Sequence, residues 1–412
     1  MTSIIRRNHH THHIFMPGMA SAHSHAFQRA LRGRTQRRRQ ATSGNFWTWR
    51  AHMFRLCQQL TPEVVFDLSR FAFVELALSG VTTIGEFHYI HHNQGGQPYA
   101  YRLEMSDAVI AAAREAGLRI TLIRAGYFRA GHQQALVPGQ DRFCDADVDA
   151  MLRDVDNLRS KYADSADVRI ALAAHSIRAC TRPQIQAIAD YARQHTLPLH
   201  MHVSEQVREV DECLAEHGRR PVELLADLGV LDERFTAVHA THLEPHEVTL
   251  LGQARAFACI CRSTERDLGD GSPNVARLVA AGARLCVGAD SHCEPDAFAE
   301  LRAIELDERT RAQARWVAAD GDALLMAANQ HGYESIGWGD AAQEDEVQLR
   351  SDDAALAGAT DDTLADAVVF GATPRAVDGV RVGEREIVRD GAHVGYAGAL
   401  AGFERALAKL QP

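Results

Sequence analysis

Lysine is all but missing from this 412-residue chain: Lys161 and Lys409 are the only two, and every other basic side chain apart from histidine is arginine. Chemistry that needs a lysine amine therefore has two positions to draw on. The eight cysteines contain no CxxC pair and show no even spacing, so they read as thiols filling a core in a reducing compartment. No run of eighteen apolar residues occurs, and nothing in the sequence predicts a membrane span. The opening MTSIIRRNHHTHHIF lacks the apolar core of a leader, and a cytoplasmic protein is expected. Repeats and low-complexity linkers are absent. Positive charge is also in deficit: the net charge of -10 argues against nucleic acid or an anionic membrane as partner. One stretch runs the other way, RGRTQRRRQ at Arg32–Gln40. With no aromatic residue or second basic cluster beside it, it reads as a solvated loop ahead of a helix that begins near Phe46.

What is present is the composition of a globular protein, 46% hydrophobic and 24% charged, long enough for one large α/β barrel with an appendage or for two or three ordinary domains. A short β-rich apolar run, a polar cluster and a longer helical pattern recur eight times. The runs lie at 14–26, 80–92, 118–128, 168–179, 197–206, 235–245, 256–267 and 284–295. Between them, TPEVVFDLSRFAFVELALS opens on Thr61 as N-cap with Pro62 behind it, and SDAVIAAAREAG and RPQIQAIADYARQH are as plainly helical. Eight such units over about 290 residues predict a (β/α)₈ TIM-type barrel, whose chemistry gathers at the C-terminal ends of its strands. From residue 346 short strands with Gly and Asp turns take over, closed by the helical GALAGFERALAKL. The expected division is a barrel over 1–345 and a small β appendage with its terminal helix over 346–412.

His23 and His25 alternate along the end of the first run, so both imidazoles face the barrel axis. Alone, such a pair is better explained by hydrogen bonding in a core. The fifth run ends LHMHVSEQ, offering His202 or His200 and, after His202, the carboxylate of Glu205; the eighth ends VGADSH, offering Asp290. Two histidines, a third from another strand and one aspartate make an N/O ligand set for a divalent metal.

These residues in this order resemble the amidohydrolase superfamily, with HxH on the first strand, HxxE on the fifth, a histidine on the sixth and an aspartate on the eighth. His239 in VHATHL matches the sixth-strand histidine, and His242 is its nearby decoy. One branch of that superfamily bridges two metals with a carboxylated lysine at the end of strand four. Here that strand ends AAHSIRA, with His175 and Arg178 and no lysine, which leaves a one-metal site of the deaminase kind. More narrowly, PGMASAHSHAFQRALRG, NFWTWR (45–50), EFHYIHH (86–92), AHSIRA, HVSEQ, VHATHLEP and STERDLGDG (263–271) resemble the formimidoylglutamate deiminases of histidine degradation.

That resemblance implies one Zn²⁺ per chain, or another divalent metal, on His23, His25, His202 and Asp290. The metal lowers the pKa of its water to about 7. Asp290 and His239 take the water's proton, and Glu205 shuttles a proton to the imino nitrogen. N-formimino-L-glutamate then yields N-formyl-L-glutamate and ammonia. Arg178 grips a substrate carboxylate, with Gln28, Tyr89 and His175 as the matching polar residues, and a homodimer is expected. The alternatives are a mononuclear-zinc deaminase of another amidine, guanidine or nucleobase, and a non-catalytic scaffold. His88, His91 and His92 are expected at the mouth of the site, Arg262–Asp270 as a loop above it, and His292 either on substrate or holding Asp290. His9, His10, His12 and His13 read as an adventitious metal-binding stretch. Relatives carry several dozen residues before the first strand that contribute to a β-sandwich. Here RRNHHTHH has no strand alternation, so either the gene product is truncated or the appendage is built from C-terminal strands alone.

Overall fold

The computed structural model describes residues 4–8, 11–38 and 43–410. Eight parallel strands follow one another in chain order around a barrel: β3 (Met19–Ser24), β4 (Val81–His88), β5 (Arg119–Gly126), β6 (Val168–Ser176), β7 (Leu199–Val203), β8 (Phe235–His239), β9 (Phe257–Ile260) and β10 (Arg284–Val287). Helices cover the outside, which is why β4 and β5 are buried along their whole length. The helix Pro62–Ala77 starts as its sequence predicts, with Thr61 Oγ1 accepting from the Val64 amide at 3.3 Å.

The barrel closes at its upper rim. Ser24 and Asp290 form the bridge between first and last strand. The His25 amide donates to the Asp290 carbonyl at 2.9 Å, and the Asp290 amide to the His23 carbonyl at 3.1 Å. Gly288 makes that approach feasible, since a Cβ there would lie 2.7 Å from His23 Cβ and 2.8 Å from its carbonyl oxygen.

A second, antiparallel sheet runs β1-β2-β11-β12-β13-β14, with β1 at Arg6–Asn8, β2 at His13–Pro17, β11 at Glu346–Arg350, β12 at Val377–Val382, β13 at Arg385–Arg389 and β14 at Ala392–His393. The expectation of an appendage built from C-terminal strands alone is thus corrected. β2 pairs with β11, Ile14 opposite Leu349, and buries Ile14 and Met16 while His13 and Phe15 stay half-buried. The apolar run 14–26 is likewise two strands, divided at Gly18. A Cβ at Gly18 would lie 2.2 Å from Thr82 Oγ1, so the chain can cross from one sheet to the other only where there is no side chain. His9 and His10 lie outside the described residues. His13 instead meets Asp378 Oδ2 at 2.9 Å.

Beneath the barrel, buried Asp345 ties the two sheets together. It accepts from Arg119 Nε at 3.3 Å, from the Tyr333 hydroxyl at 2.7 Å and from the Gly383 amide at 2.8 Å. The terminal helix Tyr396–Lys409 packs on Pro62–Ala77, with Phe71 and Phe403 stacked at 4.7 Å.

Candidate active site

At the rim where the barrel closes, the ends of β3, β7, β8 and β10 converge. The Nε2 atoms of His23 and His202 are 3.2 Å apart and those of His25 and His202 3.4 Å apart. Asp290 Oδ1 lies 3.5 Å from both His23 Nε2 and His25 Nε2. The ligand atoms of His23, His25 and His202 fall within 4.8 Å of one another, as do those of His23, His239 and Asp290.

The tautomers follow from the outer contacts. His25 donates its Nδ1–H to the Phe87 carbonyl at 2.9 Å, and His202 donates its Nδ1–H to the His175 carbonyl at 3.0 Å. Their Nε2 atoms therefore confront each other as lone pairs with no proton between them, an arrangement that a cation resolves. Burial and the neighbouring imidazoles keep His202 far below its ordinary pKa and bring His25 down to about 3, so both are neutral donors. Burial alone would raise Asp290, but its hydrogen bond to His23 and the charges of His23 and His239 hold it well below the usual carboxylate range. The donor set fits a divalent metal.

His200 is not part of it. One layer down, it donates Nε2–H to the Ser335 carbonyl at 2.8 Å. His242 also points away, to the Asp270 carbonyl at 2.8 Å.

His239 closes the group on the far side. Its Nδ1 meets Glu265 Oε1 at 3.3 Å, leaving Nε2 3.7 Å from Asp290 Oδ2 and 3.8 Å from Glu205 Oε1. Burial opposes charge on this ring, yet Glu205, Glu265 and Asp290 together lift its pKa to about 10. Glu265 is itself fixed by Arg262 at 2.5 Å and the Cys261 amide at 3.0 Å. Backbone strain marks the same rim: Ser204, His239, Ala240, Asp290 and His292 all take positive φ, between 44° and 71°, a conformation held only where surrounding contacts over-determine it.

The cavity above is lined by His25, Gln28, Tyr89, His175, Arg178, His202, Glu205, His239 and Asp290, so it gathers these sequence-selected residues in one place. Arg178 is buried, and its anion is internal: NH2 lies 3.1 Å from Glu205 Oε2 and Nε 3.8 Å from Glu209 Oε2. Glu209 also accepts from the Ser204 amide at 3.1 Å, which fixes the turn carrying Glu205. Gln28 donates to the Tyr89 hydroxyl at 2.9 Å, and its carbonyl oxygen is buried without a partner.

Three expectations need correction. Arg262–Leu268 is a helix, with Thr264 and Leu268 on the cavity wall. Its capping Gly269 ends the helix only at the far end of the stretch expected to be a loop. His88, His91 and His92 are buried rather than lining the mouth: the His91 and His92 amides both donate to the Arg142 carbonyl at 3.1 Å, and Arg124 NH1 reaches the His91 ring at 2.6 Å. His292 neither lines the cavity nor bonds the Asp290 side chain. Its Nε2 lies 2.7 Å from Ser24 Oγ, which donates to Glu86 at 2.5 Å.

Sequence reasoning missed Arg50, Glu265, Glu209 and Glu86. Arg50 lies on the helix Phe46–Cys57 over the cavity and approaches the Tyr127 hydroxyl at 3.4 Å. Its signal was available in NFWTWR, but no spacing within that motif assigns the arginine to the pocket.

The family model for the amidohydrolase family matches residues 14–342. A formimidoylglutamate deiminase of Pseudomonas aeruginosa is 36% identical over 96% of this chain and 89% of its own. An 8-oxoguanine deaminase of the same organism is 30% identical over 89% and 83%. Among solved structures, an amidohydrolase from Brucella melitensis superposes with a TM-score of 0.89 at 34% identity, over 96% of this chain and 89% of that one. A zinc-bound adenosine deaminase from Xanthomonas campestris gives 0.81 at 21% identity, over 96% and 85%, and supports the fold. No helix among the described residues is long and apolar enough to cross a membrane.

Proposed function

The chain belongs to the amidohydrolase family, and from that premise we propose that it hydrolyses N-formimino-L-glutamate to N-formyl-L-glutamate and ammonia. The observation that carries this is the meeting of two arginines, Arg50 and Arg178, with the His/Asp cluster in one cavity, alongside the 36% identity to a formimidoylglutamate deiminase. A dicarboxylate with a small amidine end needs cations at one end of its pocket and proton-transfer groups at the other.

His23, His25, His202 and Asp290 would hold one divalent metal, zinc by resemblance. Such an ion supplies a water of lowered pKa near neutrality. With Asp290 committed to the metal, one of the carboxylates that lift His239 would be offset, and His239 and Asp290 would take the proton released when water adds to the formimino carbon and orient its attack. Glu205 carries a proton to the imino nitrogen, so that nitrogen leaves as ammonia and the carbon becomes a formyl group. Arg178 binds one substrate carboxylate through the donors that Glu205 and Glu209 leave free, and Arg50 is placed for the other. Gln28, Tyr89 and His175 supply neutral contacts. The resemblance also supports a cytoplasmic homodimer, which light scattering on the purified protein tests.

The deciding experiment is ammonia release from N-formimino-L-glutamate, with N-formimino-L-aspartate and guanine alongside. Turnover of formiminoglutamate alone, or in clear preference, is expected. Preference for guanine would transfer the case to the nucleobase deaminases that the 8-oxoguanine deaminase relative represents. Elemental analysis should find one metal per chain; two would overturn the ligand set.

A further inference from the structure

The described part of the arginine-rich segment after β3, residues 32–38, takes no part in the site described above, yet it is tied down at Gly33, Arg34 and Gln36. Gly33 turns the chain at φ 76°, and its amide donates to the Gln36 side chain at 2.7 Å. The Arg34 amide donates to the Leu31 carbonyl at 2.9 Å. Gln36 in turn donates to Asp267 at 2.9 Å, on the helix whose Leu268 lines the active-site cavity. Arg34, Arg37 and Arg38, with His52 and Arg55 from the helix Phe46–Cys57, line one open groove. Asp267 is the one acidic side chain on its wall among the described residues, and it is engaged by Gln36. Trp49 and Leu268 belong to both this groove and the inner cavity, so the two share a wall. Arg50, the neighbour of Trp49, faces inward.

On a chain of net charge -10, four arginines gathered at one mouth set up a local field opposite to that of the whole. An anion near the rest of the surface is repelled, and here it is attracted. We propose that this groove is the capture surface for the substrate, an arginine forecourt that draws a dicarboxylate to the mouth before Arg50 and Arg178 engage it. The proposal rests on the substrate named above, whose two carboxylates outweigh its one amidinium. Attraction of this kind raises the substrate's concentration at the mouth without touching the reacting atoms, so it acts on KM and fades with salt.

The test is the combined variant R34Q/R37Q/R38Q, assayed on N-formimino-L-glutamate from about 10 mM to 1 M salt, over which the Debye length falls from about 30 Å to about 3 Å. At the low end kcat/KM should drop roughly three- to tenfold, entirely through KM, and the difference from the parent should vanish at the high end. The combined variant R34K/R37K/R38K keeps the charge and should behave as the parent. An unchanged salt slope in the glutamine variant would overturn the proposal, and so would a loss that persists at 1 M salt or is shared by the lysine variant. If the parent itself fails to turn over formiminoglutamate, the substrate is wrong, and the forecourt as stated falls with it.

Discussion

Glu205 stands between two demands. One oxygen lies 3.8 Å from His239 Nε2 and the other 3.1 Å from Arg178, so the same carboxylate touches the proton acceptor and the substrate-binding cation. Glu205→Gln keeps the shape and loses the exchangeable proton. We expect kcat to fall by on the order of 10²-fold or more, with metal content and thermal midpoint near those of the parent. Near-normal turnover with metal retained would place the proton shuttle elsewhere. Arg178→Met tests selectivity. The formimino group is small, so discrimination must come from the glutamate end, and kcat/KM for formiminoglutamate should fall by roughly 10²-fold or more. A small amidine without carboxylates should be affected little. Because Arg178 also neutralises buried Glu209, the thermal midpoint is measured alongside. An equal loss on both substrates would make Arg178 structural. At this scale the sequence could name residues that alternate on one strand, such as His23 and His25, or follow a fixed motif, such as His202 and Glu205. Strand alternation alone does not separate His200 from His202, because both face inward at different depths in the barrel; the HxxE motif is what selects His202. Glu265 and Glu209 escaped because a carboxylate that aligns a histidine or steadies a turn is recognised by what it touches in space.

At the scale of elements, the site depends on how β10 meets β3. Asp290 enters only because the backbone after β10 bridges Ser24, and Gly288 permits that contact. A Cβ at Gly288 would meet His23 Cβ and its carbonyl below 3.0 Å, and neither can swing aside. Gly288→Ala should therefore part the first and last strands, costing about 1–3 kcal/mol as overpacking does, and weaken metal retention beyond what that stability loss explains. Metal analysis after dialysis, set beside a denaturant midpoint, checks it. Full metal content at parental stability would show that the rim closes without the glycine. All eight barrel strands fall within apolar runs visible in the sequence, because parallel strands buried on both faces read as near-continuous hydrophobic stretches. The first run hid a boundary: Ile14–Pro17 and Met19–Ser24 look alike, and what separates them is the partner each finds, β11 for one and β4 for the other. Strands this short form through pairing, and pairing over more than three hundred residues leaves no local pattern.

The whole molecule separates chemistry from cohesion along the barrel axis. The His/Asp cluster occupies the C-terminal rim. At the opposite end, where β4 and β5 begin, Asp345 joins barrel and appendage as an acceptor for Arg119, Tyr333 and the Gly383 amide. Its side chain is fully buried and that of Arg119 is 10% exposed, so the carboxylate cannot turn to water once the guanidinium is gone, whereas Arg119 keeps Glu344 at 2.7 Å as a second partner. Removing one member of such a pair typically costs about 3–5 kcal/mol. Asp345→Ala should lower the thermal midpoint by several degrees, while kcat and metal content per folded molecule stay at the parental level, since no ligand or cavity residue contacts Asp345. Arg119→Met, which removes the cation instead, should destabilise the same joint, with Tyr333 and the Gly383 amide still satisfying the carboxylate in part. The double variant should then lose less than the sum of the two, because both act on one network. Strict additivity would mean that Asp345 and Arg119 stabilise the joint independently rather than as one network. Loss of activity at temperatures where the protein remains folded would mean that the lower joint also sets the geometry of the rim.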